Sequence, residues 1–226
     1  MDVIPFKAVG EPPQWPAQWV DPHPGQAHLA WLDGAYVGIH PSLKQPLRID
    51  FHAGDLARRA RQGGEMLAKA VAAAKGLHVV DATAGLGRDA FLMMSAGARV
   101  TAIESSPTLG FWLAQNARGT AISVLQGAAQ DHLAGLAPDV IYLDPMFPHR
   151  QKSAQVGGES QFLQAFAPPP DATEQAELLT LALDTARYRV VVKRPIKAPA
   201  LADRVPSASI KGKAVRFDLY GIRKLP

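Results

Sequence analysis

The apolar residues of this chain follow two alternating periods. Short runs rich in Val and Ile have the length of strands, and they occur at residues 79–81, 99–103, 121–125, 140–143 and 189–193. Between them, apolar residues recur at helical spacing, at residues 55–74, 89–96, 107–117 and 172–186. We expect the pair Gly63-Gly64 to weaken or break the first of these helices. Strands that alternate with helices predict a mostly parallel sheet covered on both faces.

The amino-terminal part departs from this alternation. Residues 1–26 are rich in proline and predict an irregular arm or an added strand. Residues 27–51 have strand-like spacing around Asp33-Gly34, which is a hairpin turn signal, and residues 47–51 read as a further strand. We therefore predict a small β-meander ahead of the main fold, and we divide the chain into an arm with a small β subdomain (residues 1–51) and a main domain (residues 52–226).

Two features lie in the carboxyl-terminal half. Residues 148–170 hold glycines, prolines and mixed polar residues, and they are too long for a plain connector, so we predict a mobile functional loop. Residues 208–210 and 215–220 predict a terminal antiparallel hairpin.

Composition narrows the class of protein. A hydrophobic fraction of 47% and a charged fraction of 19% are typical of a globular protein, and the absence of cysteine excludes disulfides and thiolate metal sites. With no long apolar run or signal pattern in the sequence, we expect a cytoplasmic location. The net charge is only +4, but residues 187–226 hold eleven basic residues against two acidic ones. This concentration favours a polyanionic partner.

The segment Gly85-Leu-Gly87-Arg-Asp-Ala90 lies between a strand and a helix and has the spacing of a nucleotide-binding turn. Glu104 follows at about the distance of a ribose-binding acid. The spacing leaves two cofactors open, a nicotinamide or flavin nucleotide and S-adenosylmethionine (SAM). Asp81, four residues before the first glycine, favours SAM, because a carboxylate repels a pyrophosphate and suits a cofactor that carries a cation.

A second constellation follows the strand at residues 140–143. In Asp144-Pro145-Met146-Phe147-Pro148 the prolines stiffen the backbone and lack N–H groups, so carbonyl oxygens stay free to accept. An aspartate and free carbonyls beside an aromatic ring suit the exocyclic amine of a flat base, with Asp144 and Pro145 holding the amine and Phe147 stacking. We expect His149 to contact phosphate or water rather than to act as a base.

These residues carry a resemblance. Residues 81–89 resemble the first motif of Rossmann-like SAM methyltransferases, and Asp144-Pro-Met-Phe147 resembles the (D/N)-P-P-(Y/F) motif of amino-methylating enzymes, with Met146 at the second proline. Together with residues 142–154, 190–195 and 211–218, they are similar to the ribosomal RNA small subunit methyltransferase J family. The resemblance implies a Rossmann-like class I methyltransferase fold with seven strands, SAM as cofactor, no metal, and methylation of the 2-amino group of a guanosine in small-subunit rRNA or in the assembling 30S subunit.

The resemblance also implies site residues. The cofactor contacts expected from it and from the turn are Asp81, Gly85, Gly87, Arg88, Asp89, Glu104, Ser105, Ala128, Ala129 and Asp144. The family often has arginine in place of Ser105 and serines in place of Ala128 and Ala129, which leaves side-chain contacts there open.

The basic residues expected to bind RNA are Arg58, Arg59, Arg150, Lys152, Lys193, Arg194, Lys211, Lys213 and Arg216.

Three other functions stay open at this point. The Asp-Pro-x-Phe pattern also fits methylation of adenine or cytosine amines in DNA, or of a small amine. The glycine turn alone fits a nicotinamide-dependent oxidoreductase. A methyltransferase fold that binds RNA without catalysis is the third.

Overall fold

The computed structural model of the chain describes residues 4–12, 14, 16, 18–62, 65–146 and 157–226. The strands in these residues are β1 (Ile4–Ala8), β2 (Trp19–Val20), β3 (His28–Leu32), β4 (Ala35–Ile39), β5 (His78–Asp81), β6 (Arg99–Glu104), β7 (Ser123–Gln126), β8 (Val140–Leu143), β9 (Arg189–Pro195), β10 (Ala208–Lys211) and β11 (Val215–Gly221). The α-helices are α1 (Gly54–Arg61), α2 (Glu65–Ala70), α3 (Arg88–Ser95), α4 (Pro107–Asn116), α5 (Ala129–Leu136), α6 (Gly158–Phe166) and α7 (Ala172–Thr185). None of the described helices is long and apolar enough to cross a bilayer.

Seven strands form one sheet in the order β10-β11-β9-β8-β5-β6-β7. From β9 to β7 the neighbours are parallel, whereas β11 runs antiparallel to both β9 and β10. The predicted α/β fold, with a mostly parallel seven-stranded sheet and a terminal antiparallel hairpin, is confirmed. The chain first builds outward from β5 to β7 and then returns to β8 on the other side, so the strand order reverses between β5 and β8.

The central strands are apolar because helices cover both faces of the sheet. Val79 and Val80 of β5 are both fully buried, yet they belong to different cores. One core includes side chains of α2, α3 and α4, and the other includes side chains of α5 and α7. The predicted helix at residues 55–74 is present as two shorter helices, α1 and α2, which end and begin on either side of the glycine pair.

The predicted small amino-terminal sheet is present, but its connectivity is not that of a meander. Its order is β2-β1-β3-β4, with β1 parallel to both of its neighbours. The hairpin between β3 and β4 forms as expected, with positive φ at both Asp33 and Gly34.

The strand predicted at residues 47–51 is reduced to a single bridge between Leu47 and Gly38. Phe51 instead stacks on Phe91 of α3, at 4.8 Å between ring centroids. The proline-rich arm joins the opposite side of the hairpin as β1, which pairs with β3 and carries the fully buried Phe6. The sheet therefore extends beyond β3, where the arm adds β1 and β2, rather than beyond β4. The domain boundary at residue 51 stays a prediction.

The loop predicted at residues 148–170 is wrong over residues 158–166, which form α6. Phe162 of this helix is fully buried, with its ring 5.8 Å from Trp112 and 5.1 Å from Phe166. Tertiary packing thus stabilises a helix in a segment whose composition is typical of a loop. Residues 147–156 lie outside the described residues.

Helix α5 was not predicted, because its sequence offers little helical signal. Its N-cap is Ala128, which makes no side-chain cap, and its buried residues are Ala129 and Leu133. Leu136 packs partly buried against the same core, so the helical spacing at residues 129, 133 and 136 rests on only three apolar positions.

Gly87 provides a test of the turn that leads into α3. Its φ is +75°, and a Cβ there would lie 2.3 Å from Cδ1 of the fully buried Leu113 and 3.1 Å from Phe51. We expect Gly87→Ala to lower the free energy of unfolding by roughly 2–4 kcal/mol, which combines backbone strain with overpacking. Denaturant unfolding measures this loss.

Gly119→Ala is the matched control, because Gly119 has a φ of +76° and nothing within 4 Å of its Cβ position. It should lose only the conformational cost of about 1–2 kcal/mol. Equal losses in the two variants would show that the contact with Leu113 imposes no constraint on the turn.

Candidate active site

The candidate site lies where three neighbouring strands end. Asp81 is the last residue of β5, Glu104 is the last residue of β6, and Asp144 directly follows β8. β8 and β6 flank β5 in the sheet, and the strand order reverses between β5 and β8. Open α/β sheets bind ligands at the carboxyl edge beside such a reversal. The fold therefore brings the three predicted acidic residues to one edge.

Glu104 fastens the glycine turn to the neighbouring strand. Its Oε2 accepts the Gly85 N–H at 2.7 Å, and its Oε1 accepts the Ser106 N–H at 2.8 Å. Burial raises the pKa of Glu104, and these backbone N–H groups oppose the rise. A carboxylate has about four acceptor positions, so these contacts still leave acceptor capacity for a hydroxyl group of a ligand.

Lys193 links helix α3, which follows the glycine turn, to Asp144, which follows β8. Its Nζ donates to Oδ2 of Asp89, in the first turn of α3, and to Oδ2 of Asp144, each at 2.8 Å. The Tyr142 hydroxyl donates to the same Asp89 oxygen at 2.6 Å. Burial lowers the pKa of Lys193, but the two carboxylates outweigh this effect and the net shift is upward. The ammonium is thus held charged between two acidic side chains.

Asp81 and Thr83 link the turn to Asp144. The Asp81 side chain is 1% exposed and accepts the Thr83 N–H at 3.2 Å, while Thr83 Oγ1 accepts the Asp144 N–H at 2.7 Å. Burial, and then the negative charge of Asp89, raise the pKa of Asp81 well above its ordinary value. Several carboxyl groups thus share this edge, so a pyrophosphate would be repelled and a bound cation would stabilise their ionised forms.

Comparisons with known proteins agree with this geometry. The family model for SAM-dependent methyltransferases matches residues 38–222. The ribosomal RNA small subunit methyltransferase J of Stutzerimonas stutzeri is 43% identical over 199 residues, which cover 80% of this chain and 76% of the relative. That of Cellvibrio japonicus is 45% identical over 206 residues, with the same coverage. This chain belongs to the ribosomal RNA small subunit methyltransferase J family.

A solved structure supports the assignment of the fold. The crystal structure of a SAM-dependent methyltransferase from Neisseria gonorrhoeae aligns with a TM-score of 0.76 and 30% identity, over 96% of this chain and 95% of that one. The Rossmann-like methyltransferase fold and SAM as the cofactor are thereby established for the family to which this chain belongs.

The residues of the site fit SAM. The position that a Cβ of Gly85 would occupy has nothing within 4 Å, so a ligand can approach the turn closely. Asp81 and Asp144 offer negative charge to a sulfonium and an ammonium, and Glu104 offers acceptors to ribose hydroxyls. The same carboxylates weaken the case for a nicotinamide nucleotide.

The remaining predicted cofactor contacts lie near this edge in different settings. Arg88 forms a two-pronged ion pair with Glu159 of α6, a partner that the sequence did not indicate. Ala128 and Ala129 begin α5, and the preceding Gly127 N–H donates to the Glu104 carbonyl at 3.0 Å, which keeps them near Glu104. Their methyl side chains offer no hydrogen bond, so polar contacts there must come from N–H groups in the first turn of α5. Ser105 is exposed.

The basic residues predicted to bind RNA divide into two groups. Lys193, Arg194 and Arg216 make contacts inside the protein. Arg194 is 5% exposed and its Nε donates to the Pro199 carbonyl, whereas Arg216 pairs with the fully buried Asp218 and donates to three carbonyls of residues 195–198. Both arginines thus hold the segment that follows β9.

The second group faces solvent. Lys211, Lys213 and Arg58 are exposed, and Arg59 lines a cavity of about 330 Å³ together with Arg48 and Arg88. The predicted residues Phe147, His149, Arg150 and Lys152 lie outside the described part of the chain. Thr83 and Tyr142 were missed as site residues. A lysine that directly follows a buried apolar run, as Lys193 follows residues 190–192, is the signal that points to this part of the site.

Asp81 provides a test of the charge in the site. We expect Asp81→Asn to weaken SAM binding and to raise the free energy of unfolding at pH 7 by more than the roughly 0.5 kcal/mol typical of surface substitutions, because burial disfavours the ionised form of Asp81, whereas the amide does not ionise and can still accept the Thr83 N–H. Isothermal titration calorimetry and denaturant unfolding measure the two effects.

The pH dependence of that gain has a defined sign. The folded protein holds the Asp81 proton more tightly than the unfolded chain does. The wild-type protein therefore loses stability as the pH rises from the ordinary pKa of an aspartate to the raised pKa of Asp81. The gain of the variant should be complete above the raised pKa and vanish as the pH falls toward the ordinary value. Asp131→Asn, on an exposed side chain of α5, is the control. A loss of stability in Asp81→Asn at pH 7 would contradict this description of the site.

Proposed function

We propose that this chain transfers a methyl group from SAM to the 2-amino group of a guanosine in small-subunit ribosomal RNA. The observation that carries the proposal is the position of Asp144, which is tied by its backbone to the cofactor turn and by its side chain to Lys193. The relatives of 43% and 45% identity, named for small-subunit rRNA methylation, support the substrate. An rRNA substrate, free or in an assembling 30S subunit, implies a cytoplasmic location.

Asp144 and Pro145 supply acceptors for the amine. Pro145 has no N–H group, and its carbonyl, with Asp144, can hold both N–H groups of the guanine amine. Held in this way, the nitrogen directs its lone pair away from the ring and toward the methyl position. SAM, when bound, supplies an electrophilic methyl group on a sulfonium that leaves as a neutral thioether. The protein contributes in two ways: it orients the amine, which lowers the barrier in such transfers, and its Asp144 carboxylate can accept the proton that the nitrogen releases.

The RNA is expected to approach the carboxyl edge of the sheet. Val215 of β11 pairs with Pro195 at the end of β9, so the turn that carries Lys211 and Lys213 lies at the edge where Asp144 lies. Arg59 shares a cavity with Arg88, at the start of α3, which places α1 near that edge as well. These cations can bind phosphates and offset the cost of unstacking the base, which is a few kcal/mol. Roles for Phe147 in stacking and for Arg150 and Lys152 in phosphate binding stay predictions.

The first test concerns Asp144. We expect Asp144→Asn to lower the single-turnover rate at saturating SAM by at least about 100-fold, since the amide cannot take up the proton that the amine releases. Transfer of labelled methyl to small-subunit rRNA from cells that lack the activity measures the rate. Asp131→Asn is the matched control, and thermal unfolding verifies that both variants are folded. A rate within about twofold of wild type would remove Asp144 from the mechanism.

The second test concerns the hairpin turn. Replacing Lys211 and Lys213 by glutamine should weaken rRNA binding and reduce the slope of log affinity against log salt by about 0.7 for each phosphate that the turn no longer neutralises. The double variant Arg223→Gln/Lys224→Gln carries the same charge change beyond the opposite end of β11, where Gly221 pairs with Arg189. Its slope should equal that of wild type. If both double variants reduce the slope equally, the effect comes from net charge and the turn is not part of the RNA surface.

A further inference from the structure

Lys193 lies between the cofactor side and the substrate side of the site. Asp89 belongs to α3, which follows the glycine turn, whereas Asp144 follows β8 and begins the substrate motif. One ammonium contacts a carboxylate oxygen from each side at 2.8 Å. The three side chains are 19–33% exposed, so solvent screens this bridge only in part.

The bridge is poorly suited to binding an RNA phosphate. Two of the three ammonium protons of Lys193 already point to carboxylates. A phosphate at the third would add negative charge beside Asp81, Asp89 and Asp144. The contacts of Lys193 therefore indicate a role in holding Asp89 and Asp144 rather than in binding RNA.

We propose that Lys193 is a positioning residue for methyl transfer, which binds Oδ2 of Asp144 and Oδ2 of Asp89 together and thereby fixes the substrate-side carboxylate relative to the cofactor turn. The inference rests on the proposed function and deepens it. With Oδ2 of Asp144 taken by Lys193, Oδ1 is left as the acceptor for the guanine amine.

The bridge also affects whether Asp144 can accept the proton that the amine releases during methyl transfer. As the amine nitrogen forms its bond to the methyl carbon, the electron pair of the old carbon–sulfur bond remains on sulfur and the nitrogen gives up one proton. Asp144 can accept that proton only when it is ionised. Burial raises the pKa of Asp144, and the Lys193 ammonium acts against this rise. Lys193 therefore extends the range in which Asp144 is a base toward lower pH.

Other charged and titratable groups also face Asp144. The negative charge of Asp89 raises the pKa of Asp144, and Arg194 opposes it more weakly than Lys193 does. Asp144 in turn influences Asp81 of β5 and Tyr142 of β8. Removal of Lys193 should shift the titration of Asp144 upward, whereas removal of the charge on Asp89 should shift it downward. The two opposite directions separate this role from general damage to the site.

The experiment compares pH–rate profiles of single-turnover rRNA methylation for wild type, Lys193→Met, Lys193→Arg, Asp89→Asn and Lys224→Met. The acid limb of Lys193→Met should move up by about one pH unit or more, so that rates on that limb fall about tenfold for each unit of the shift, at an unchanged KM for RNA. Lys193→Arg should keep the wild-type acid limb, because it keeps the charge. Asp89→Asn should move the limb down. Lys224→Met, a matched loss of one exposed lysine, should leave the profile unchanged.

A second measurement does not depend on activity. Titration of the Asp144 side-chain carboxyl by carbon NMR, in protein without ligands, should show the same upward shift in Lys193→Met and the same downward shift in Asp89→Asn. If Lys193→Met does not fold, a downward shift in Asp89→Asn together with an unchanged titration in Lys193→Arg still supports the inference, and any other combination contradicts it.

Two results would overturn the inference. The first is an acid limb and an NMR titration that stay at the wild-type pH in Lys193→Met. The second is a loss confined to KM for RNA with a smaller salt slope, which would make Lys193 a phosphate contact. Failure of the wild-type protein to methylate rRNA would instead refute the proposed function, and the NMR titration would still report whether Lys193 controls Asp144.

Discussion

Burial of carboxylates at one sheet edge is the constraint on which the site depends. Asp81, Asp89, Glu104 and Asp144 converge there, and an ionised carboxylate that leaves water must be compensated. Backbone N–H groups of the glycine turn and of Ser106 compensate Glu104, and Lys193 compensates Asp89 and Asp144. Asp81 accepts only the Thr83 N–H among the described contacts, and of these four carboxyl groups it has the pKa that is raised well above its ordinary value. The site thus keeps negative charge available for a cationic ligand at a cost in stability.

The rest of the fold holds these groups in register. The turn after β5 enters α3 through Gly87, where Leu113 and Phe51 leave no room for a Cβ atom. Leu113 belongs to α4, which also contacts the small amino-terminal sheet through Trp112. On the other side, Arg216 and Asp218 fix the segment after β9, next to Lys193. Elements remote from the chemistry therefore determine where the carboxylates lie.

The sequence predicted the central sheet because strands buried on both faces are continuous apolar runs, as at Val190 and Val191. It also predicted that Asp81, Glu104 and Asp144 would meet, because the carboxyl ends of parallel strands share one edge. It did not predict α6, which depends on the packing of Phe162 against Trp112, or the order of the small sheet, which depends on the parallel pairing of the arm with β3. The contacts of Lys193 and Arg216 with carboxylates could not be predicted for the same reason. From sequence alone, a basic residue can be a phosphate contact or a partner of a carboxylate, and only its neighbours in space decide between the two.

The central claim is that this edge methylates the 2-amino group of a guanosine. The most direct measurement is mass spectrometry of nucleosides and oligonucleotides from small-subunit rRNA of cells that lack the activity, after incubation with the protein and SAM. Free rRNA and assembled subunits serve as separate substrates. The account predicts N2-methylguanosine at a single position in at least one of the two. Methylated adenine or cytosine, or no methylation of either substrate, would contradict it.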